Sequence, residues 1–185
     1  MNTDTFWELI EAAQVKQEDG WIELDHNKLI ESLIRLPAED IQEFDRIFWR
    51  MKANAYRADL WDAAYLVECG CGDDAFSDVK DWLIRMGREV YEKVLADPDN
   101  LADIVPRKHR FELYDVSPDR EFTLLFVPQV AYERKTGQSI PSWGYEQTPK
   151  LIGEAIGDDK LALKYPRIME KLGQYSEEDF IAWDS

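Results

Sequence analysis

Histidine and cysteine are scarce in this sequence, and their scarcity excludes several common chemistries. The 185 residues include two histidines, His26 and His109, and two cysteines, Cys69 and Cys71. A structural zinc site needs four nitrogen or sulfur ligands, and these histidines lie far from the cysteines without the spacing of a zinc motif. Two cysteines also cannot build a disulfide framework, which is typical of a protein that folds in a reducing cytoplasm.

The usual catalytic motifs are missing as well. The sequence has no Gly-x-Ser-x-Gly elbow, no His-Glu-x-x-His helix and no glycine-rich phosphate loop. Cys71 precedes a predicted helix, whose dipole favours a thiolate, but the nearby carboxylates of Glu68, Asp73 and Asp74 disfavour it. Cys71 is therefore interpreted as a packing residue, and we predict no catalytic residues and no cofactor.

Positive charge is in short supply. The 22 basic and 38 acidic side chains leave a formal net charge of -16, which repels phosphate backbones and anionic membranes. No apolar run approaches the roughly 20 residues of a membrane span, and the first residues lack the pattern of a signal peptide. We expect a soluble cytoplasmic protein that binds neither nucleic acid nor membrane. The acidic surface contributes first to solubility, and it leaves a basic protein as a possible partner.

Apolar residues are plentiful, and their spacing predicts helices. They make up 45% of the chain, and seven are tryptophans, so the chain can bury a core despite its charge. We predict a single domain over residues 1–185, mainly α, built as an irregular helical bundle. The predicted core comprises Trp7, Leu33, Phe44, Phe48, Trp61, Tyr65, Phe76, Trp82, Leu83 and Tyr91.

Capping residues and glycines predict where several helices begin and end. A first helix should run from about Thr3 to about Gly20, Asp25 should cap a second, and a third should begin at Pro37, where its missing N–H is no loss. The third has the clearest periodicity, with apolar residues three and four apart. Its stripe comprises Ile41, Phe44, Phe48, Met51 and Ala55.

A fourth helix is predicted to begin near Asp59 and end at Gly70, and a fifth to run from Asp73 or Asp74 to Gly87. Further along, residues 111–127 fit either a small β-hairpin or, for Phe122–Val127, a helical turn. Pro128 should begin another helix that ends at Gly137.

Four aspartates between the fourth and fifth helices permit a metal hypothesis. Asp59 and Asp62 are one helical turn apart, and Asp73 or Asp74 could join them to bind a divalent cation through oxygen ligands. The favoured alternative is structural, with Asp59 and Asp73 as caps, Asp62 on a solvated face and Asp74 adding first-turn charge.

Two aromatic residues in a proline-flanked loop are candidates for partner binding. Trp143 and Tyr145 provide the rigid, amphipathic contact area that is common in binding hot spots. The alternative, which we favour, is that they fill a gap in the core of the protein itself.

Several segments resemble a known family. The strings Leu-Trp-x-Ala-Ala-Tyr and Gly-Cys-x-Asp-Asp-x-Phe within Asp59–Gly87, together with Phe6–Ile10 and Ala131–Gly137, are similar to DUF4240, a family of bacterial proteins of unknown function. The resemblance implies an intracellular, mainly helical domain. It carries over no catalytic residues, because the family has no assigned activity.

These observations lead to two functional hypotheses. The first is a non-enzymatic interaction module that binds a basic protein, an immunity or antitoxin protein being one version. The alternative is a metal-dependent hydrolase that uses Asp59, Asp62, Asp73 and Asp74 to hold a divalent cation.

Overall fold

The protein is mainly helical, as the sequence predicts. The computed structural model describes residues 1–17, 22–68, 70–105, 123–142 and 149–173. Its elements are α1 (Thr3–Ala12), β1 (Gln14–Lys16), β2 (Ile22–Leu24), α2 (His26–Ile34), α3 (Ala38–Asn54), α4 (Ala58–Glu68), α5 (Asp73–Arg85), α6 (Arg88–Ala96), the 3-10 helix η1 (Pro98–Asp103), α7 (Val127–Thr136), α8 (Asp158–Lys164) and α9 (Pro166–Leu172). None of the described helices combines the length and the apolar composition that crossing a membrane would require.

Helix α3 is the central element of the core. Its 17 residues begin at Ala38, one residue after the predicted start, with Pro37 in the N-cap position, and the whole predicted stripe is buried. The helix packs against α1, α2, α5 and α7. Phe44 lies 4.7 Å from Phe6 of α1, measured between ring centroids, so aromatic packing joins the first helix to the third.

Most of the predicted core residues are buried, and Tyr65 is the exception. Its side chain is 42% exposed, because the inward side of α4 is occupied by small residues such as Ala63 and Ala64. Trp61 is half-buried. Its ring stacks on Phe76 at 4.7 Å between centroids, and its indole N–H donates to the carbonyl oxygen of Cys71 at 2.8 Å.

The first helix is shorter than predicted. It ends at Ala12 instead of near Gly20, because its apolar stripe has no continuation beyond Ala13. The chain instead forms an antiparallel hairpin of β1 and β2, with Gln14 opposite Leu24. Of the segment considered for a hairpin, residues 111–122 lie outside the described residues. Residues 124–126 form a turn that leads into α7, which begins at Val127.

Other predicted helix boundaries are confirmed. The Asp25 carboxylate accepts a hydrogen bond from the backbone N–H of Lys28 at 2.9 Å and caps α2. Gly137 ends α7 with a φ of 71°, a left-handed conformation that glycine adopts at little cost. Gly87 joins α5 to α6 with a φ of 90°, and a Cβ there would lie 3.1 Å from the side-chain nitrogen of Gln14. The positive φ therefore favours glycine at this turn, and any Cβ would also have to displace the side chain of Gln14 slightly.

The segment after residue 149 packs back onto the start of α4. Ile152 donates its N–H to the Tyr56 carbonyl and accepts from the Ala58 N–H, at 3.0 and 2.9 Å. Asp99 of η1 accepts from the N–H groups of Arg167 and Ile168, so its carboxylate caps α9 from a distant part of the chain. These contacts fix the surroundings of Asp59 and Asp62.

Candidate functional site

Asp59 is engaged by an arginine two residues before it. The Arg57 guanidinium donates from Nε and Nη2 to the two carboxylate oxygens, at 3.0 and 2.7 Å. Partial burial raises the pKa of Asp59, but the hydrogen bond and charge of Arg57 outweigh it, and the pKa lies below its usual value. Arg57 therefore holds Asp59 as a carboxylate. Since α4 begins at Ala58, Asp59 lies within its first turn and is not the cap that the structural interpretation assumed.

Asp62 is buried, so its predicted place on a solvated face is wrong. It is 8% exposed, and its Oδ2 accepts from the backbone N–H of Ile156 at 3.3 Å and lies 3.8 Å from Lys164 Nζ. The reason is tertiary: the segment before α8 covers this side of α4. Asp62 thus connects α4 to that segment through a hydrogen bond and to α8 through an ion pair.

Asp73 and Asp74 occupy the first turn of α5 and are exposed. The N-cap position is Gly72, so Asp73 is not the capping residue that the structural interpretation assumed. Both carboxylates still lie at the positive end of the helix dipole, where negative charge is stabilising.

The described part of the chain gives the metal hypothesis no geometric support. It contains no group of three or more histidine, cysteine, aspartate or glutamate residues placed to hold a metal ion. Asp59 and Asp62 are instead paired with cationic side chains. The hydrolase that would use these aspartates stays a prediction.

The remaining sequence candidates are a thiol and two aromatic residues. Cys71 is buried, and burial, with the charge of Glu68, raises the pKa of its thiol to about 12. A thiol with so high a pKa is a poor nucleophile at neutral pH, which agrees with the packing role. Trp143 and Tyr145 lie outside the described residues.

A buried ion pair between α3 and α5 was not predicted. Lys52 Nζ lies 2.6 Å from Asp81 Oδ1, with the two side chains 8% and 13% exposed, and it also donates to Ser77 Oγ at 3.1 Å. Burial raises the pKa of Asp81, and the charge of Lys52 opposes that rise. The pair therefore places opposite charges inside the interface of two core helices.

Lys80 is a second buried lysine on the same interface. It is 8% exposed, and its Nζ lies 4.6 Å from the ring centroid of Tyr56 and 5.1 Å from that of Phe76. Burial, with the charge of Lys52, lowers the pKa of Lys80 to about 8, while Asp81 opposes the shift. The sequence carried a signal for it, because Lys80 is four residues after Phe76, a predicted core residue, and so lies on the same side of α5.

Exposed carboxylates of α1 and α6 form a surface that we call the acidic ridge. Arg88 links the two helices: its guanidinium lies 2.7 Å from Asp4 and 2.7 Å from Glu92, and its backbone N–H donates to Glu11 at 3.0 Å. All the members are exposed. The acidic ridge comprises Asp4, Glu8, Glu11, Glu89 and Glu92.

The Asp59→Asn variant tests the role assigned to the Arg57 pair. Because this carboxyl has a lowered pKa in the folded protein, its contribution is present above the unfolded value near 3.8 and lost as the pH falls through the folded pKa. We expect the variant to lose about 0.5–1 kcal/mol of stability at pH 7, a small value because the pair is partly solvated. Urea unfolding at pH 7 and at about pH 2 measures the difference, which should be smaller at the lower pH because that pH lies below the unfolded pKa and approaches or passes the folded one.

A calorimetric titration of the same variant with Mg²⁺ or Mn²⁺ separates the two interpretations of Asp59. Heat of binding in the wild type that disappears in Asp59→Asn would support the metal hypothesis and contradict the structural role.

Comparison with known proteins identifies the family. The model of the family described as "Protein of unknown function (DUF4240)" matches residues 1–134. No curated protein and no solved structure matches the chain. Since the match spans more than half of the sequence, this chain belongs to the DUF4240 family.

Proposed function

We propose that the protein is a non-enzymatic, soluble cytoplasmic module that presents the acidic ridge to a basic protein partner, as an immunity or antitoxin protein does. The observation that carries the proposal is the ridge itself, in which Asp4, Glu11 and Glu92 contact Arg88, and Glu8 and Glu89 are exposed on the same two helices. The formal net charge of -16 gives the same sign to the field of the whole chain.

The arrangement of the acidic ridge suits recognition by charge. Asp4, Glu8 and Glu11 are spaced four and three residues apart, so they follow one face of α1. Exposed charges of this kind stay hydrated and add little stability to the fold. They mainly raise the association rate, because they attract a complementary partner from a distance. Salt screens this attraction.

The specificity of the ridge would come from the way its charges are held. Arg88 pairs with one carboxylate on each helix, which orients these side chains without neutralising the surface. A partner with lysines or arginines could then meet a defined set of carboxylates, and its wrong orientations would be disfavoured by charge.

The test is the association rate of a basic partner isolated by affinity from the native cells. The triple variant Asp4→Asn, Glu8→Gln and Glu11→Gln should associate about tenfold more slowly than wild type at low salt, and the two rates should converge at high salt. Surface plasmon resonance over a salt series measures both effects.

A matched control removes the same number of charges elsewhere. Glu31, Glu133 and Glu170 are exposed on α2, α7 and α9, and their replacement by glutamine should leave the association rate much closer to wild type. Equal slowing in both triple variants would assign the effect to net charge alone. A partner held equally well at every salt concentration would contradict the electrostatic proposal.

A further inference from the structure

Lys80 lies among aromatic rings in the interface of α5 with α3 and α4. Its Nζ approaches the rings of Tyr56 and Phe76. The ring of Trp61 in turn stacks on Phe76, with an angle of 12° between the ring planes. Aromatic faces attract a cation but offer it no counter-charge, so they replace only part of the hydration that burial removes.

The nearest buried carboxylate is already occupied. Asp81 pairs with Lys52 at 2.6 Å, and Lys52 contributes a second positive charge close to Lys80. Across the described residues, Lys80 Nζ makes no hydrogen bond and no ion pair of its own. The charges around it thus leave the protonated amine poorly compensated.

Burial among apolar groups beside another cation is the arrangement that activates a lysine as a nucleophile. The neutral amine is the reactive form, and the lowered pKa of Lys80, about 8, makes that form available near neutral pH. An exposed lysine has an ordinary pKa of about 10.4 and is almost fully protonated under the same conditions.

We propose that Lys80 is a reactive amine that forms a reversible imine with a small aldehyde or ketone. The lone pair of Nζ attacks the carbonyl carbon to form a C–N bond, and the carbonyl oxygen takes up both protons of the amine and leaves as water. The product is a C=N bond, with no oxidant or reductant consumed. Since only 8% of Lys80 is exposed, the carbonyl compound must be small.

This activity is separate from the proposed binding of a basic partner. The acidic ridge belongs to α1 and α6, whereas Lys80 lies on α5 beside Tyr56 in the connection between α3 and α4, so each proposal can fail while the other stands. A module with both features would bind a protein through one surface and a carbonyl compound at another.

The experiment traps the imine by reduction. The folded protein is incubated at pH 7 with acetaldehyde and cyanoborohydride, which delivers hydride to the imine carbon and leaves a stable ethylated amine. Peptide mapping by mass spectrometry gives the rate at each lysine. We expect Lys80 to react more than about tenfold faster than the exposed lysines Lys16 and Lys28, since its larger neutral fraction outweighs its restricted access.

The pH profile and two controls complete the test. The rate at Lys80 should level off above about pH 8, as the titration of this amine beside Lys52, Asp81 and Tyr56 requires, while the rates at exposed lysines continue to rise. Unfolding in guanidinium should abolish the preference, and Lys80→Arg should remove the fast site while the far-UV circular dichroism stays unchanged. Lys80 reacting no faster than Lys16, or keeping its preference when unfolded, would overturn the proposal.

Discussion

Replacing Trp82 with alanine is expected to lower the free energy of unfolding by about 3–5 kcal/mol. Trp82 is 1% exposed and is among the largest fully buried side chains of the described residues. It lies on α5, which packs against α3, α4 and α6. The substitution would leave a cavity that these helices cannot fill by small movements, because protein interiors are close-packed.

Urea unfolding followed by circular dichroism measures the effect of Trp82→Ala as a lower transition midpoint. The matched control is Tyr65→Ala, another large aromatic residue removed from a neighbouring helix, because Tyr65 is 42% exposed. We expect the control to change stability by less than about 1 kcal/mol. Equal midpoints for wild type and Trp82→Ala would contradict the packing described for α5.

The elements that could be predicted from the sequence are those whose signals are local. Helices α3 and α5 have apolar residues three and four apart. Pro37 marks the start of α3, and Gly87 marks the turn after α5. Such patterns specify a helix and its buried face without reference to the rest of the chain. The family resemblance was carried by the same local strings, and the match over residues 1–134 confirms it.

The features that were missed depend on contacts between distant parts of the chain. Asp62 is buried by a segment that includes Ile156, which is 94 positions later in the sequence. The hairpin of β1 and β2 was missed for another reason: it follows the end of the apolar stripe of α1, and a strand pairing has no helical periodicity to reveal it. Composition described the charge of the surface, but it could not indicate which carboxylates lie side by side.

The buried lysines are an intermediate case. Lys52 and Lys80 are each four residues after a buried phenylalanine, Phe48 and Phe76, so the helical spacing placed both on the apolar side. What the spacing could not provide was the partner of each. The packing of α5 on α3 gives Asp81 to Lys52, and Lys80 meets Tyr56 from the connection between α3 and α4 in addition to Phe76 of its own helix.

Breaking the buried pair by Lys52→Met is expected to cost about 3–5 kcal/mol at pH 7. The substitution keeps the volume of the side chain but leaves the Asp81 carboxylate buried without its cation. Removing both charges should be much less harmful, because an apolar pair needs no desolvation of ions. The double variant Lys52→Met with Asp81→Leu should therefore recover most of the stability lost in Lys52→Met.

The pH dependence of Lys52→Met separates an unpaired charge from a packing defect. Burial raises the pKa of Asp81, and the loss of Lys52 raises it further. A carboxyl with a raised pKa in the folded state favours folding while it is protonated, and that contribution is lost as the pH rises through the folded pKa. The loss in free energy of unfolding of Lys52→Met relative to wild type should thus shrink as the pH is lowered from 7 toward 4. A loss that is independent of pH would show that the charge of Asp81 is not its cause, and so would a double variant as unstable as the single one.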